Sequence, residues 1–333
     1  MRVARFKIPP SEGAAAYHVI SRTVNGERIL DDVAKEVLRK HLWQTSDYCG
    51  VKIVTYTLLS NHFHILVLVP KKVPIPDAEL LRRYRVLHPR PSRFQTARME
   101  VIESQLESNG PLAVAWRQRQ LAQMGDVSPF MKLLKQRFSI WFNESHGRFG
   151  TLWAERFKSH LIQPARHSLK MAAAYIDLNS VRAGLCTDPL RYRFCGYAEA
   201  VAGNERAQQG LQLIFGTAKW AQAHASYRLL FTAAGAVEKE GKASISRSDI
   251  ETVVKAGGQL PLGCALLCRI RYFSDGVALG SRAFVEVQLD RYRMKTGRRT
   301  RTAVRPLPAH IADWGDLVVL RGLRKEAISF PTV

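Results

Sequence analysis

Cysteine is scarce in this chain, acidic side chains are few, and no long apolar run occurs. The five cysteines (Cys49, Cys186, Cys195, Cys264, Cys268) are scattered and odd in number, which argues against a disulfide framework. Cys264 and Cys268 stand four apart with no second pair to complete a zinc site, so they are expected to be small core residues in a reducing compartment. No segment approaches the roughly 18 apolar residues of a membrane-spanning helix. The start, Met1-Arg-Val-Ala-Arg-Phe-Lys7, lacks the apolar centre of a signal peptide, and a soluble cytoplasmic protein with no membrane partner is the expectation. Asp and Glu number 28 against 50 Lys and Arg, a formal charge of +22. An imbalance of that size favours polyanions, of which nucleic acid is the commonest in the cytosol. A length of 333 residues points to about two domains.

What is present begins with alternation. Tyr17 to Thr23 alternates like a first strand and ends at the turn Asn25-Gly26. Asp31 is placed to cap a helix through about Tyr48, with Val33, Val37, Leu38 and Leu42 at helical spacing and Gly50 as its stop. Val51 to Leu59 is a second strand, and Ser60-Asn61 turns it into the apolar run His62 to Val69, so the two are expected to pair as a hairpin. Side chains alternate in a strand, so His62 and His64 share a face and can ligate one metal ion. The alternative is a pair of hydrogen-bonded histidines on a half-buried face.

From Val73 to Asp126 the texture turns helical, charged and proline-punctuated, and reads as a helical insertion at about residues 71–127. Ser128-Pro129 then opens a helix whose stripe of Met131, Leu134, Phe138, Trp141 and Phe142 is core. A fourth strand is expected near Phe157 to Ile162, followed by one helix from Ala165 to Val181. On that helix Tyr175 and Asn179, four apart, share a face. A phenol is a poor nucleophile at neutral pH, and attack on a phosphodiester needs charge stabilisation on the phosphoryl oxygens. A divalent ion held by His62, His64 and the Asn179 amide oxygen could supply it.

Several stretches together carry a resemblance: Tyr17-His-Val-Ile-Ser-Arg22, Asn61-His-Phe-His64, Gly150-Thr-Leu-Trp-Ala-Glu-Arg-Phe-Lys-Ser159, Tyr175-Ile-Asp-Leu-Asn179-Ser-Val-Arg182-Ala-Gly184 and Tyr192-Arg-Phe-Cys-Gly-Tyr197. Over roughly residues 1–70 and 128–200 the chain resembles the single-tyrosine HUH transposases, and within them the REP-associated tyrosine transposases. The resemblance implies an α+β fold, a small antiparallel sheet with helices mainly on one face, forming a catalytic domain over residues 1–200. It implies cleavage and rejoining of single-stranded DNA at hairpin-forming repeats through a 5′-phosphotyrosine, with magnesium or manganese as cofactor. Tyr175 would be the nucleophile, and His62, His64 and Asn179 the metal ligands. Family members act as monomers or dimers, which leaves a homodimer as one of two expected assemblies. Ser180 stands where the family commonly has proline, and the insertion is longer than in compact members.

Tyr48 and Tyr56 are rival nucleophiles. Arg22, Arg156, Lys158 and Arg182 suit phosphate contacts, with a solvated surface as the alternative for each. His18, His146, His160 and His167 carry no assignment, although the strand position of His160 can bring it near a substrate. Residues 201–333 are expected to form a mostly helical, basic accessory region, with helices at Gly210–Ser226, Ser248–Ala256, Leu262–Arg269 and, capped by Ser281, Arg282–Tyr292. The run Arg291, Arg293, Lys295, Arg298, Arg299, Arg301, Arg305 contains no acidic residue and is expected to touch DNA. A non-catalytic DNA-binding protein on the same fold is the alternative function. A replication initiator or relaxase would share the histidine pair, but a relaxase carries its tyrosine before the histidines, and Tyr175 follows them.

Overall fold

The computed structural model describes residues 6–89, 93–232, 260, 262–267, 269–274, 276–297, 303–309, 311–321 and 328–329. Strand β1 (Ala15–Arg22) leads to helix α1 (Asp32–Cys49), β2 (Lys52–Leu58) and β3 (His62–Val69). The insertion supplies α2 (Asp77–Val86), α3 (Arg93–Ser108) and α4 (Pro111–Leu121), and the chain continues as α5 (Val127–Ser145), β4 (Lys158–Ile162), α6 (Arg166–Asp177) and the short α7 (Asn179–Arg182). After these come α8 (Gly196–Val201), α9 (Glu205–Phe215), α10 (Trp220–Thr232), α11 (Leu262–Leu267), β5 (Arg269–Ile270), β6 (Ala278–Ser281), α12 (Arg282–Thr296), β7 (Ala303–Pro306), β8 (Leu317–Arg321) and β9 (Ile328–Ser329).

Local chemistry sets the early boundaries. Asn25 and Gly26 both take positive φ (53° and 71°), the geometry their turn needs. The Asp31 carboxylate accepts from the Ala34 amide at 2.7 Å to open α1, and Gly50 closes it in the left-handed conformation (φ 64°). The buried stripe of α1 is Ala34, Leu38 and Leu42, whereas Val33 lies exposed. Helix α5 starts one residue before the expected Ser128, because Asp126 is its cap and accepts from the Ser128 amide at 2.6 Å.

The α+β class holds, with a seven-stranded sheet in the order β2-β3-β1-β4-β6-β8-β7. All neighbours are antiparallel except β4 and β6, which run parallel. One face carries Phe63, against which Trp153 packs edge-on at 5.5 Å, backed by Phe138 of α5, and Tyr56 on that same face meets Trp43 of α1. The other face carries His64 and Thr57, and there the Thr57 hydroxyl donates to the Ile176 carbonyl at 2.8 Å, bringing α6 across it. Helices therefore flank the sheet on both sides.

One expectation is corrected. The single helix over 165–181 is broken at Leu178 into α6 and α7. The Asn179 side-chain amide donates to the carbonyls of Tyr175 and Ile176, and the Ser180 hydroxyl donates to that of Asp177 at 3.1 Å. Side chains that bond back to helical carbonyls compete with the backbone ladder, which ends there. The described residues after 200 are mainly helical, and the short strands β6, β8 and β7 among them extend the central sheet. The helix expected at 248–256 lies outside the described residues. Cys49, Cys195 and Cys264 are buried free thiols.

Candidate active site

The strand register assembles a row of imidazoles. His18 of β1 sits opposite Leu66 of β3 and His160 of β4, and Arg22 and Ile20 sit opposite His62 and His64. Directly opposed residues share a face, so His62, His64, His18 and His160 lie on one side of three adjacent strands. The rings of His62 and His64 are 5.1 Å apart, and those of His18 and His64 5.0 Å. His64 Nδ1 lies 2.8 Å from His18 Nε2, and His18 Nδ1 lies 2.6 Å from the Phe273 carbonyl. Burial pushes His64 well below the usual histidine range and His18 down to about 3, so both are neutral.

Helix α6 brings Tyr175 to this row. Its ring meets His18 edge-on at 6.3 Å and stacks on Phe273 at 5.0 Å, and the Arg182 guanidinium carbon lies 4.0 Å above it. Tyr175 is 2% exposed. Arg182 donates to the Leu266 carbonyl at 2.5 Å and to the Tyr175 carbonyl, so it clamps the nucleophile candidate. With its amide nitrogen held by the α6 end, Asn179 retains its carbonyl oxygen as the group suited to a metal.

The rival tyrosines are structural. The Tyr56 hydroxyl donates to Glu199 at 2.6 Å and the Tyr48 hydroxyl to Gln120 at 2.8 Å; burial holds both phenols above their ordinary range. Of the expected phosphate contacts, exposed Arg22 stands opposite His62, and Lys158, opposite Ile20, lies on the histidine face beside Glu155 (3.3 Å). Arg156 is exposed on the cavity lined by Lys132, Lys135 and Phe157. Arg298, Arg299 and Arg301 lie outside the described residues, and Arg291 pairs with Glu12 at 2.7 Å. His146 bonds the Phe142 carbonyl and His167 the Trp314 carbonyl.

Sequence reasoning left His18, His160, Phe273 and Asp177 unassigned. His18 carried a signal, its position in an alternating strand. Phe273 carried none, because its contact is 255 positions from His18 along the chain. Asp177, two residues past Tyr175, is fully buried and accepts from Thr55 at 2.7 Å and Tyr227 at 2.5 Å.

Residues 12–79 match the model of the family described as "Transposase IS200 like". That stretch resembles the IS200-like transposases. The resemblance read from the motifs is met there, over β1, α1, β2 and β3 with His18, His62 and His64; Tyr175 and Asn179 lie beyond the matched residues. A solved structure, "Structure of the REP associates tyrosine transposase bound to a REP hairpin", is similar over 61% of this chain and 86% of that chain, at 14% identity and a TM-score of 0.37. No protein of curated function matches the chain.

The transposase likeness implies a metal, and the donor chemistry can be tested against it. Among the described residues no group of three or more His, Cys, Asp or Glu side chains is arranged to hold an ion. An ion here therefore needs the two histidines and a ligand of another kind, for which the Asn179 amide oxygen has the right hardness. His62 Nδ1 meets the Asn61 amide oxygen at 2.6 Å. An amide oxygen only accepts, so Nδ1 carries the proton and Nε2 has the lone pair a metal requires. In donor type the residues fit.

Proposed function

We propose that this chain is a metal-dependent transposase that cleaves and rejoins single-stranded DNA, at hairpin-forming repeats, through a 5′-phosphotyrosine on Tyr175. The observation that carries the reading is the meeting of Tyr175 with His18, itself bonded to His64, on one face of the sheet. The transposase family match over residues 12–79 and the net charge of +22 support a DNA-processing role.

In this reading the Tyr175 oxygen attacks phosphorus, the bond to the 3′ oxygen breaks, and the departing strand leaves with a 3′-hydroxyl. The bond energy is kept in the phosphotyrosine, so a second 3′-hydroxyl can reverse the step and join a new strand without ATP. His62, His64 and Asn179 would hold the ion, which when bound neutralises charge on the phosphoryl oxygens. Arg22 and Lys158, on the same face as the histidines, hold the strand by its phosphates. Residues 201–333 act as an accessory region that extends the sheet and supplies Phe273 to the site.

The burial of Tyr175 favours a second reading, a non-catalytic DNA-binding protein, because a 2% exposed phenol, covered by Phe273 and Arg182, is closed to a strand in this arrangement. Hairpins from the flanks of the encoding gene, incubated with manganese and either wild type or Tyr175→Phe, separate the two. Cleavage by wild type alone is expected. Tight binding by both proteins with no cleavage would establish the second reading.

A further inference from the structure

His18 has no role in the proposed chemistry, yet it is 1% exposed and bonded at both ring nitrogens. The polarity of those two bonds follows from chemistry. The Phe273 carbonyl can only accept, so at 2.6 Å the His18 Nδ1 must carry a proton. A neutral imidazole has one N–H, which leaves His18 Nε2 as an acceptor. At 2.8 Å from it, His64 Nδ1 must then be the donor. One proton thus sits on each Nδ1, and His64 Nε2 keeps its lone pair.

We infer that His18 is a positioning residue which, anchored by the Phe273 carbonyl, fixes His64 in the tautomer whose Nε2 can bind a divalent cation. The inference rests on the reading of His64 as a metal ligand and deepens it. It gives the two histidines of the pair the same orientation rule with different partners: His62 donates to the Asn61 amide oxygen, His64 to a second imidazole. The bond also holds the His64 ring against rotation about χ2, so Nε2 points in one direction in the absence of metal. Such partners of metal ligands commonly matter about 10–100-fold in affinity.

The carbonyl end of the chain makes the arrangement conditional on the C-terminal region. The turn Arg271–Phe273 both stacks on Tyr175 and terminates the hydrogen-bond series to His64. Removing it would leave His18 free to take either tautomer, and His64 with it.

Two measurements on the full chain test this. In metal-free protein, long-range 1H–15N NMR of the histidine rings should show His64 protonated at Nδ1 in wild type and in His18→Gln, whose side-chain oxygen can still accept. In His18→Leu, which cannot accept, the Nε2-protonated form should gain population. Manganese titration without DNA should then show His18→Leu weakened by about tenfold or more and His18→Gln much closer to wild type. His64 protonated at Nε2 in wild type, or His18→Leu folded and binding manganese as tightly as wild type, would overturn the inference. Failure of the underlying reading is distinguishable: manganese binding unchanged in His64→Ala would remove the metal role, whatever the tautomer.

Discussion

Tyr175 stacks on Phe273 with ring centroids 5.0 Å apart and planes 19° apart, so the candidate nucleophile is covered by a residue nearly a hundred positions further along the chain. Phe273 is itself fully buried and packs against Trp314 at 6.0 Å. Phe273→Ala should therefore have two effects. It should destabilise the fold by about 3–5 kcal/mol, as large-to-small changes in a core do, and it should open the phenol to solvent. Nitration by tetranitromethane, followed by mass spectrometry of the peptide holding Tyr175, should proceed faster in the variant under conditions where both proteins are folded. Equal rates would mean that Phe273 does not cover the ring.

Asp177 provides a pH signature. Burial pushes its carboxyl from 3.8 up to about 7, against the lowering effect of the Tyr227 and Thr55 hydroxyls. Because the folded value lies above the unfolded one, the folded chain holds a proton between those limits that the unfolded chain has released. Stability from this group accordingly falls as pH rises from about 4 to about 7. Urea midpoints across that window should fall for wild type relative to Asp177→Asn, which keeps an oxygen to accept from Thr55 and Tyr227 and has nothing to ionise. Parallel profiles would contradict the assignment.

Gly210 tests the packing of α9 on the β2 edge. A Cβ added there would meet the Ile53 carbonyl oxygen at 2.5 Å and that of Val54 at 2.6 Å, both backbone atoms. Neither can rotate away, so Gly210→Ala should cost at least the 1–3 kcal/mol, roughly, of an overpacked core. Denaturant unfolding would measure it, and a wild-type midpoint would show that helix and strand are further apart than described.

Much of the N-terminal half was legible because its signals are local. The Asn25-Gly26 turn, the Asp31 cap, the Gly50 stop and the hairpin at Ser60-Asn61 each depend on residues within a few positions of one another, and each stands where the pattern put it. The break at Leu178 was less so, since Asn179 and Ser180 are tolerated in helices and only their back-bonding to α6 ends it. The joining of β6 and β8 to the sheet had no local signal: β6 is four residues long and contains Gly280, and its place beside β4 depends on the tertiary contact alone. Within the site, His62 and His64 follow from strand alternation, whereas the bond between His64 and His18 depends on the pairing of β1 with β3, which no single strand reveals.

The central claim is that Tyr175 forms a covalent bond to DNA. Mass-spectrometric mapping of the protein after incubation with manganese and single-stranded hairpins from the gene's flanks tests it most directly. The account predicts a nucleotide-modified tyrosine at Tyr175, absent in Tyr175→Phe and unaffected by Tyr48→Phe or Tyr56→Phe. A modified residue elsewhere, or bound DNA with no modified residue under any of these conditions, would contradict it.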